Sequence, residues 1–396
     1  MNPLRDTQQT DLEGQIILSM SDSPWESPLS GRQRVMSRLA RRNTVFYVDP
    51  PPHIEQLWKD RPRWSDLKIT VSQTASGVQV IRFPRWACYS YRPSLERGLA
   101  WLRATLLKVF LRRRGGRPPI LYVFHPDNWS IVQHFARAFV CYHVYDDYRE
   151  FTGVDRNRVG ELDDLLAGRA NVLIGVSESL VADRQQLAQA AYVVHNGADY
   201  AAFADEHLLV PPDLDAIPKP RVVYVARLNV GVDFSVLEHL ARDGTFQVVV
   251  VGPLMDFPQA ELAEAKRVLA LPNIHWLGER VTALVPAYVR HCDACLLASR
   301  LTAQTKTVAT AQKLFEYLAA GKPVVSTPLP LMRQFEPAVR FASSLDDWIV
   351  QLREAIATDT PELRKQRQEL AARNSWDAQV ERIGRILAGH LNQPQA

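Results

Sequence analysis

The stretch TVATAQKLFEYLAAGKPVVSTPLP, residues 307–330, holds the residues best suited to chemistry. Lys313 and Glu316 stand three apart in a helical pattern and therefore share a face. A carboxylate accepting two hydroxyls is well matched to a ribose diol. An ammonium together with the N–H groups of a helix start is well matched to a diphosphate. One helix carrying both would bind a nucleoside diphosphate end to end. Taken alone, the spacing is equally that of a surface ion pair worth a few tenths of a kcal/mol. Asp146 and Asp147 in YDDYREF (145–151) directly follow an apolar run. Adjacent carboxylates tend to push one pKa up, which suits a general base, while an Asp at a strand end is also a good helix N-cap. His125 in FHPD is a second base candidate, although a lone histidine at a strand end is commonly structural.

Other constellations do not assemble. There is no G-x-G-x-x-G and no P-loop, so a nicotinamide dehydrogenase or an ATPase has no support. GVSES (175–179) lacks the last glycine of a nucleophile elbow. Cys292 and Cys295 form a lone C-x-x-C without the second pair that zinc would need. No D-x-D stands at a strand end, so no metal or cofactor is expected.

The elements that would position these residues repeat as strand, turn, helix. Apolar runs at 15–20, 44–52, 171–177, 221–228 and 246–253 alternate with helical patterns at 31–42, 159–167, 232–242, 259–271 and 312–321. Such alternation predicts parallel sheets covered on both faces. The 396 residues suffice for two domains. The expected division is a first domain over 1–206, a proline-rich linker over 207–220, a second over 221–375, and a closing helix over 376–396 that crosses back. Two doubly wound halves are expected to face a cleft, ligands lying at the carboxyl ends of both sheets.

No apolar run reaches membrane-spanning length, and the polar N-terminus lacks a secretory h-region, so a cytoplasmic protein is expected. The net charge of +4 hides an asymmetry: residues 82–117 hold ten Lys/Arg against Glu96 alone, interleaved with Trp86, Tyr89, Tyr91, Trp101 and Phe110. Within them a helix is predicted from Pro93, with Leu95, Leu99, Leu102, Leu106, Val109 and Phe110 as its apolar face. Three readings stay open: an ordinary domain helix, a helix lying on the anionic inner face of the plasma membrane, and a nucleic-acid surface. No nucleic-acid motif accompanies the charge.

The motifs YDDYREF, NVLIGVSESL, HNGAD, VYVARL, VVVVGP, NIHWLGE, YVRHCDACLLAS and KLFEYLAAGKPVVST, in that order, resemble the GT-B glycosyltransferases. The likeness runs over essentially residues 15–390. It points to the bacterial branch that builds exopolysaccharide, teichuronic acid, xanthan-type and related envelope glycans. The resemblance implies two Rossmann-like domains and transfer of a sugar from a nucleoside diphosphate sugar, a UDP-sugar first, to a hydroxyl of a lipid-linked glycan. By that resemblance Glu316 holds the ribose, and Lys313 and Arg227 meet the diphosphate. Tyr317, Gly252 and Gly278 line the donor pocket, Asp147 ahead of Asp146 is the base of an inverting reaction, and Glu26 lies on the acceptor side. One position departs: many retaining members carry a second Glu eight residues before the ribose Glu, and here it is Val308. Lys306 nearby is a further cation. The alternatives are a nucleotide-sugar epimerase of the same architecture and a transferase-like binding partner without catalysis.

Overall fold

The structure is a computed structural model and describes residues 11–27, 30–55, 68–151, 153–256, 258–301 and 312–392. The chain divides into two units, Met1–His195 with Gln379–Ala396, and Asn196–Ala378.

The first unit is built on eight strands: β1 (Ile16–Met20), β2 (Thr44–Val48), β3 (Thr70–Gln73), β4 (Gln79–Arg82), β5 (Ile120–Val123), β6 (Phe139–Val144), β7 (Val172–Gly175) and β8 (Ala191–Val193). Their spatial order is β3-β4-β2-β1-β5-β6-β7-β8. All pairings are parallel except β3 with β4. The runs β5, β6 and β7 are buried throughout, as strands covered on both faces must be. From β1 the chain winds outward first to β2 and β4, then the other way to β5 and beyond. The β1/β5 boundary is thus a switch point, where the loops leaving the two strands diverge and open a crevice.

The long helix Pro93–Arg112 forms as predicted, but another face is buried. Glu96, Ala100, Arg103, Ala104, Leu107 and Leu111 face inward, while Leu95 and Val109 are exposed. A charged pair can occupy the inner face because Arg103 neutralises Glu96 and also donates to the Cys88 carbonyl.

The second unit holds β9 (Arg221–Val225), β10 (Gln247–Val251), β11 (Ile274–Gly278), β12 (Ala294–Leu297), β13 (Val324–Ser326) and β14 (Val339–Phe341). All are parallel, in the order β11-β10-β9-β12-β13-β14, with the switch point between β9 and β12. Alternate residues serve opposite faces. Val222 and Tyr224 join a core with Leu237 and Trp348, while Val223 joins another with Phe315 and Leu318.

Two expected boundaries are corrected. Residues 207–220 are not a linker: they contain the helical turn Pro212–Asp215, and Leu214 and Ile217 are buried in the core that holds Phe315. Residues 196–206, expected in the first domain, belong to the second unit because Phe203 is buried in that same core. The prolines begin short helices here as well as breaking them. The helix Trp376–Leu391 joins the first unit from Gln379 onward, and His390 Nε2 there lies 2.8 Å from the Tyr192 hydroxyl.

Candidate active site

In the second unit, the loops leaving β9, β10 and β12 are bonded into one platform at the carboxyl edge. Ala226 N–H donates to Val251 O at 3.0 Å and Leu228 N–H to Pro253 O at 2.9 Å. On the other side Asp233 N–H donates to Ala298 O at 3.1 Å and Arg300 N–H to Gly231 O at 2.9 Å. Arg227 stands exposed on this platform and, among the described residues, enters no ion pair. Gly252 makes the platform possible. Its φ is 140°, and a Cβ there would lie 1.7 Å from the Ala226 carbonyl oxygen. It is therefore a point of close backbone approach between the ends of β9 and β10. Gly278, at the end of β11, has a φ of 71° and open space around its Cα, and its carbonyl accepts the Gly252 N–H at 2.8 Å.

The helix Gln312–Ala319 turns Leu314, Phe315 and Leu318 inward and leaves Lys313 and Glu316 partly exposed. Lys313 Nζ lies 5.9 Å from the centre of the Tyr224 ring in β9. Burial pulls the Lys313 ammonium below its ordinary value, with Glu316 opposing. An anion bound there would favour the charged form again. Gln312 Nε2 donates to Glu316 Oε1 at 2.9 Å, leaving the carboxylate further lone pairs for hydroxyl donors. Tyr317 does not line a pocket. It is 1% exposed, and its hydroxyl accepts the Val225 N–H at 3.0 Å, so it pins the helix to the end of β9. Lys306 and Val308 lie outside the described residues.

In the first unit a second group converges at the β1/β5 switch point, from the ends of β1, β5 and β6 and the start of the helix Gly31–Leu39. Arg32 is its centre. It pairs with Asp22 at 2.5 Å, donates to Ser23 Oγ at 3.0 Å, and hydrogen-bonds the Tyr148 hydroxyl. Asp146 lies within its field. Burial raises the Asp146 pKa, Arg32 lowers it, Asp22 raises it, and the net shift is upward.

Asp147 behaves in the opposite way to the base expected of it. Its carboxylate takes a fork from Arg149, at 2.7 and 2.9 Å, with Arg184 at 3.7 Å, and it caps the short helix Tyr148–Glu150. Burial raises its pKa, but these cations outweigh it and the net shift is downward. Of the two aspartates it is Asp146 whose environment suits proton abstraction.

His125 Nδ1 accepts the Asp127 N–H at 3.3 Å, so the neutral ring carries its proton on Nε2 and offers a donor rather than a base. Burial leads the downward shift of its pKa, and the ring packs on Tyr148 with centres 4.4 Å apart. Glu26 is largely exposed and pairs with Arg82 at 2.8 Å. Cys292 and Cys295 are buried, and burial pushes the Cys292 thiol up to about 12, so the C-x-x-C is inert packing. Among the described residues, no three His, Cys, Asp or Glu side chains are grouped to hold a metal ion. Arg32 and Asp22 were not singled out from the sequence. The available signal was an arginine opening the helix that follows the first strand.

Two doubly wound, mostly parallel sheets, each with polar residues at its switch point, match the GT-B fold. Residues 219–356 match the model of the family Glycosyl transferases group 1, a stretch that spans β9 through β14 and every donor-side candidate. The chain is 29% identical over 161 residues to a teichuronic acid biosynthesis glycosyltransferase, TuaH, of Bacillus subtilis. That match covers 39% of this chain and 38% of the relative's length. Among solved structures, sucrose-phosphate synthase of Thermosynechococcus elongatus superposes with a TM-score of 0.64 at 15% identity, covering 95% of this chain and 99% of that one. Anabaena HepE in complex with UDP and glucose gives 0.64 at 14% identity, with coverages of 96% and 99%. The Escherichia coli trehalose-6-phosphate enzyme bound with UDP-2-fluoro glucose gives 0.63 at 12%, again with 96% and 99%. At these identities the structural matches show the fold.

Proposed function

We propose that the protein transfers a sugar from a nucleoside diphosphate sugar to a hydroxyl of a lipid-linked glycan in the assembly of an envelope or exported polysaccharide. The observation that carries this reading is the pairing of Lys313 and Glu316 on one helical face, against the end of β9 and inside the group 1 domain. Two proteins of the same fold were solved with UDP and glucose and with UDP-2-fluoro glucose, which supports a UDP-sugar as the first donor to try.

In this reading Glu316 accepts the ribose hydroxyls. Lys313, Arg227 and loop N–H groups offset the charge on the departing diphosphate, so that no metal is required. The acceptor oxygen forms a bond to the anomeric carbon as the bond from that carbon to the diphosphate oxygen breaks. The electron pair leaves with the nucleoside diphosphate, and in an inverting reaction the acceptor proton passes to Asp146.

The test is turnover of nucleotide sugars with a polyprenyl-linked saccharide in the presence of a chelator. Glycosylated acceptor and nucleoside diphosphate are expected in equal amounts. Conversion of the donor without acceptor would show an epimerase instead, and donor binding without turnover a binding partner.

A further inference from the structure

The helix Pro93–Arg112 presents to solvent what its sequence pattern would have turned inward. Its inner face is made of Ala100, Ala104, Leu107, Leu111 and the Glu96–Arg103 pair, and the predicted leucine stripe is displaced to the flank. Trp101 is 58% exposed and Tyr91, just before the helix, 67%; Trp86, Leu95 and Val109 are exposed as well. Monomeric surfaces carry such side chains singly, whereas here five fall within one short segment of a single unit.

Charge accompanies them. Glu96, the lone acid of residues 82–117, is consumed inside by Arg103. The exposed Arg92, Arg97, Arg112 and Arg113 enter no ion pair among the described residues. Arg114 stacks over Phe110 with its guanidinium 4.1 Å from the ring centre. Exposed indole and phenol rings beside uncompensated arginines, on one helix and in the segment leading into it, match a bilayer interface with anionic headgroups.

The surface also leads somewhere. Tyr91 packs edge-on against Tyr89, ring centres 5.3 Å apart. Tyr89 in turn lines a pocket of about 170 Å³ together with Asp22, Pro50, Asp127 and Asn128, which lies at the carboxyl ends of β1, β2 and β5.

We infer that residues 86–113 are a docking surface for an anionic lipid bilayer, which brings the Tyr89 pocket to the headgroup level. The inference stands apart from the transferase reading, since it uses none of the donor residues.

The full-length protein is mixed with sedimentable vesicles of phosphatidylcholine, with and without phosphatidylglycerol. Co-sedimentation is expected only with the anionic vesicles, falling as salt rises. Arg112→Glu/Arg113→Glu is expected to weaken it by roughly tenfold or more. Trp101→Ala is expected to lower the fraction that remains bound at high salt. Both changes are at exposed positions, and unaltered thermal melting and nucleotide titration would show that fold and donor site are intact. Absence of binding to anionic vesicles, binding unchanged in the arginine variant, or salt-sensitive retention by duplex DNA in place of vesicles would overturn the inference.

Discussion

The Tyr317 hydroxyl accepts a hydrogen bond from the Val225 N–H at 3.0 Å, joining the helix that carries Lys313 and Glu316 to the strand that leads into Arg227. Three residues assigned to one ligand thus share a single fixed frame. Tyr317→Phe removes the acceptor and leaves a part-buried N–H unpaired, at a cost of about 1 kcal/mol. A lower urea midpoint with weakened nucleotide binding is expected. Unchanged binding would show that the tie serves stability alone.

Asp146 and Asp147 are adjacent, yet their surroundings push them in opposite directions. Asp146→Asn is expected to lower turnover by about 10²–10⁴ while leaving nucleotide binding intact. Asp147→Asn should retain most turnover. The reverse outcome in a steady-state assay would restore Asp147 as the base.

The same pair gives opposite stability profiles. The Asp146 pKa is raised on folding, so its contribution is fully present below the unfolded-state value and is lost as pH rises through the folded one. The Asp147 pKa is lowered, so its contribution is present above the unfolded-state value and is lost as pH falls through the folded one. At neutral pH, Asp146→Asn is expected to raise the melting temperature and Asp147→Asn to lower it. Turnover should fall on the acidic side at a pH above the ordinary carboxylate value of 3.8, because the base must be ionised. An acidic limb at or below that value would argue against Asp146.

At Gly252 an alanine would drive its Cβ into the Ala226 carbonyl, at a backbone angle that side chains rarely adopt. Gly252→Ala should destabilise the second unit by about 3 kcal/mol or more. Gly278→Ala, with open space around it, should lose only about 1–2 kcal/mol. Equal losses in denaturant titrations would contradict the close approach.

Buried strands such as Val172–Gly175 and Gln247–Val251 were legible in the sequence because strands covered on both faces are continuously apolar. The edge strand Thr70–Gln73 was not, since all four of its residues are exposed and no burial pattern marks it. The inner face of the helix Pro93–Arg112 was misread because Arg103 and Glu96 neutralise each other seven residues apart. Once paired, they can occupy positions where an apolar pattern would be sought. The Lys313–Glu316 pair was visible because a helix fixes its neighbours at that spacing. The contrast between Asp146 and Asp147 was not, since it depends on Arg149 folding back and on Arg32 arriving from a helix more than a hundred residues earlier.

Calorimetric titration of UDP, GDP and dTDP, without metal, into the wild type and Glu316→Ala tests the donor site most directly. One nucleotide is expected to bind the wild type, and the variant to lose about 1.5–3 kcal/mol, the loss for removing a charged hydrogen-bond partner. Binding of none of the three, or equal binding by the variant, would contradict the assignment of Glu316 and the donor site built around it.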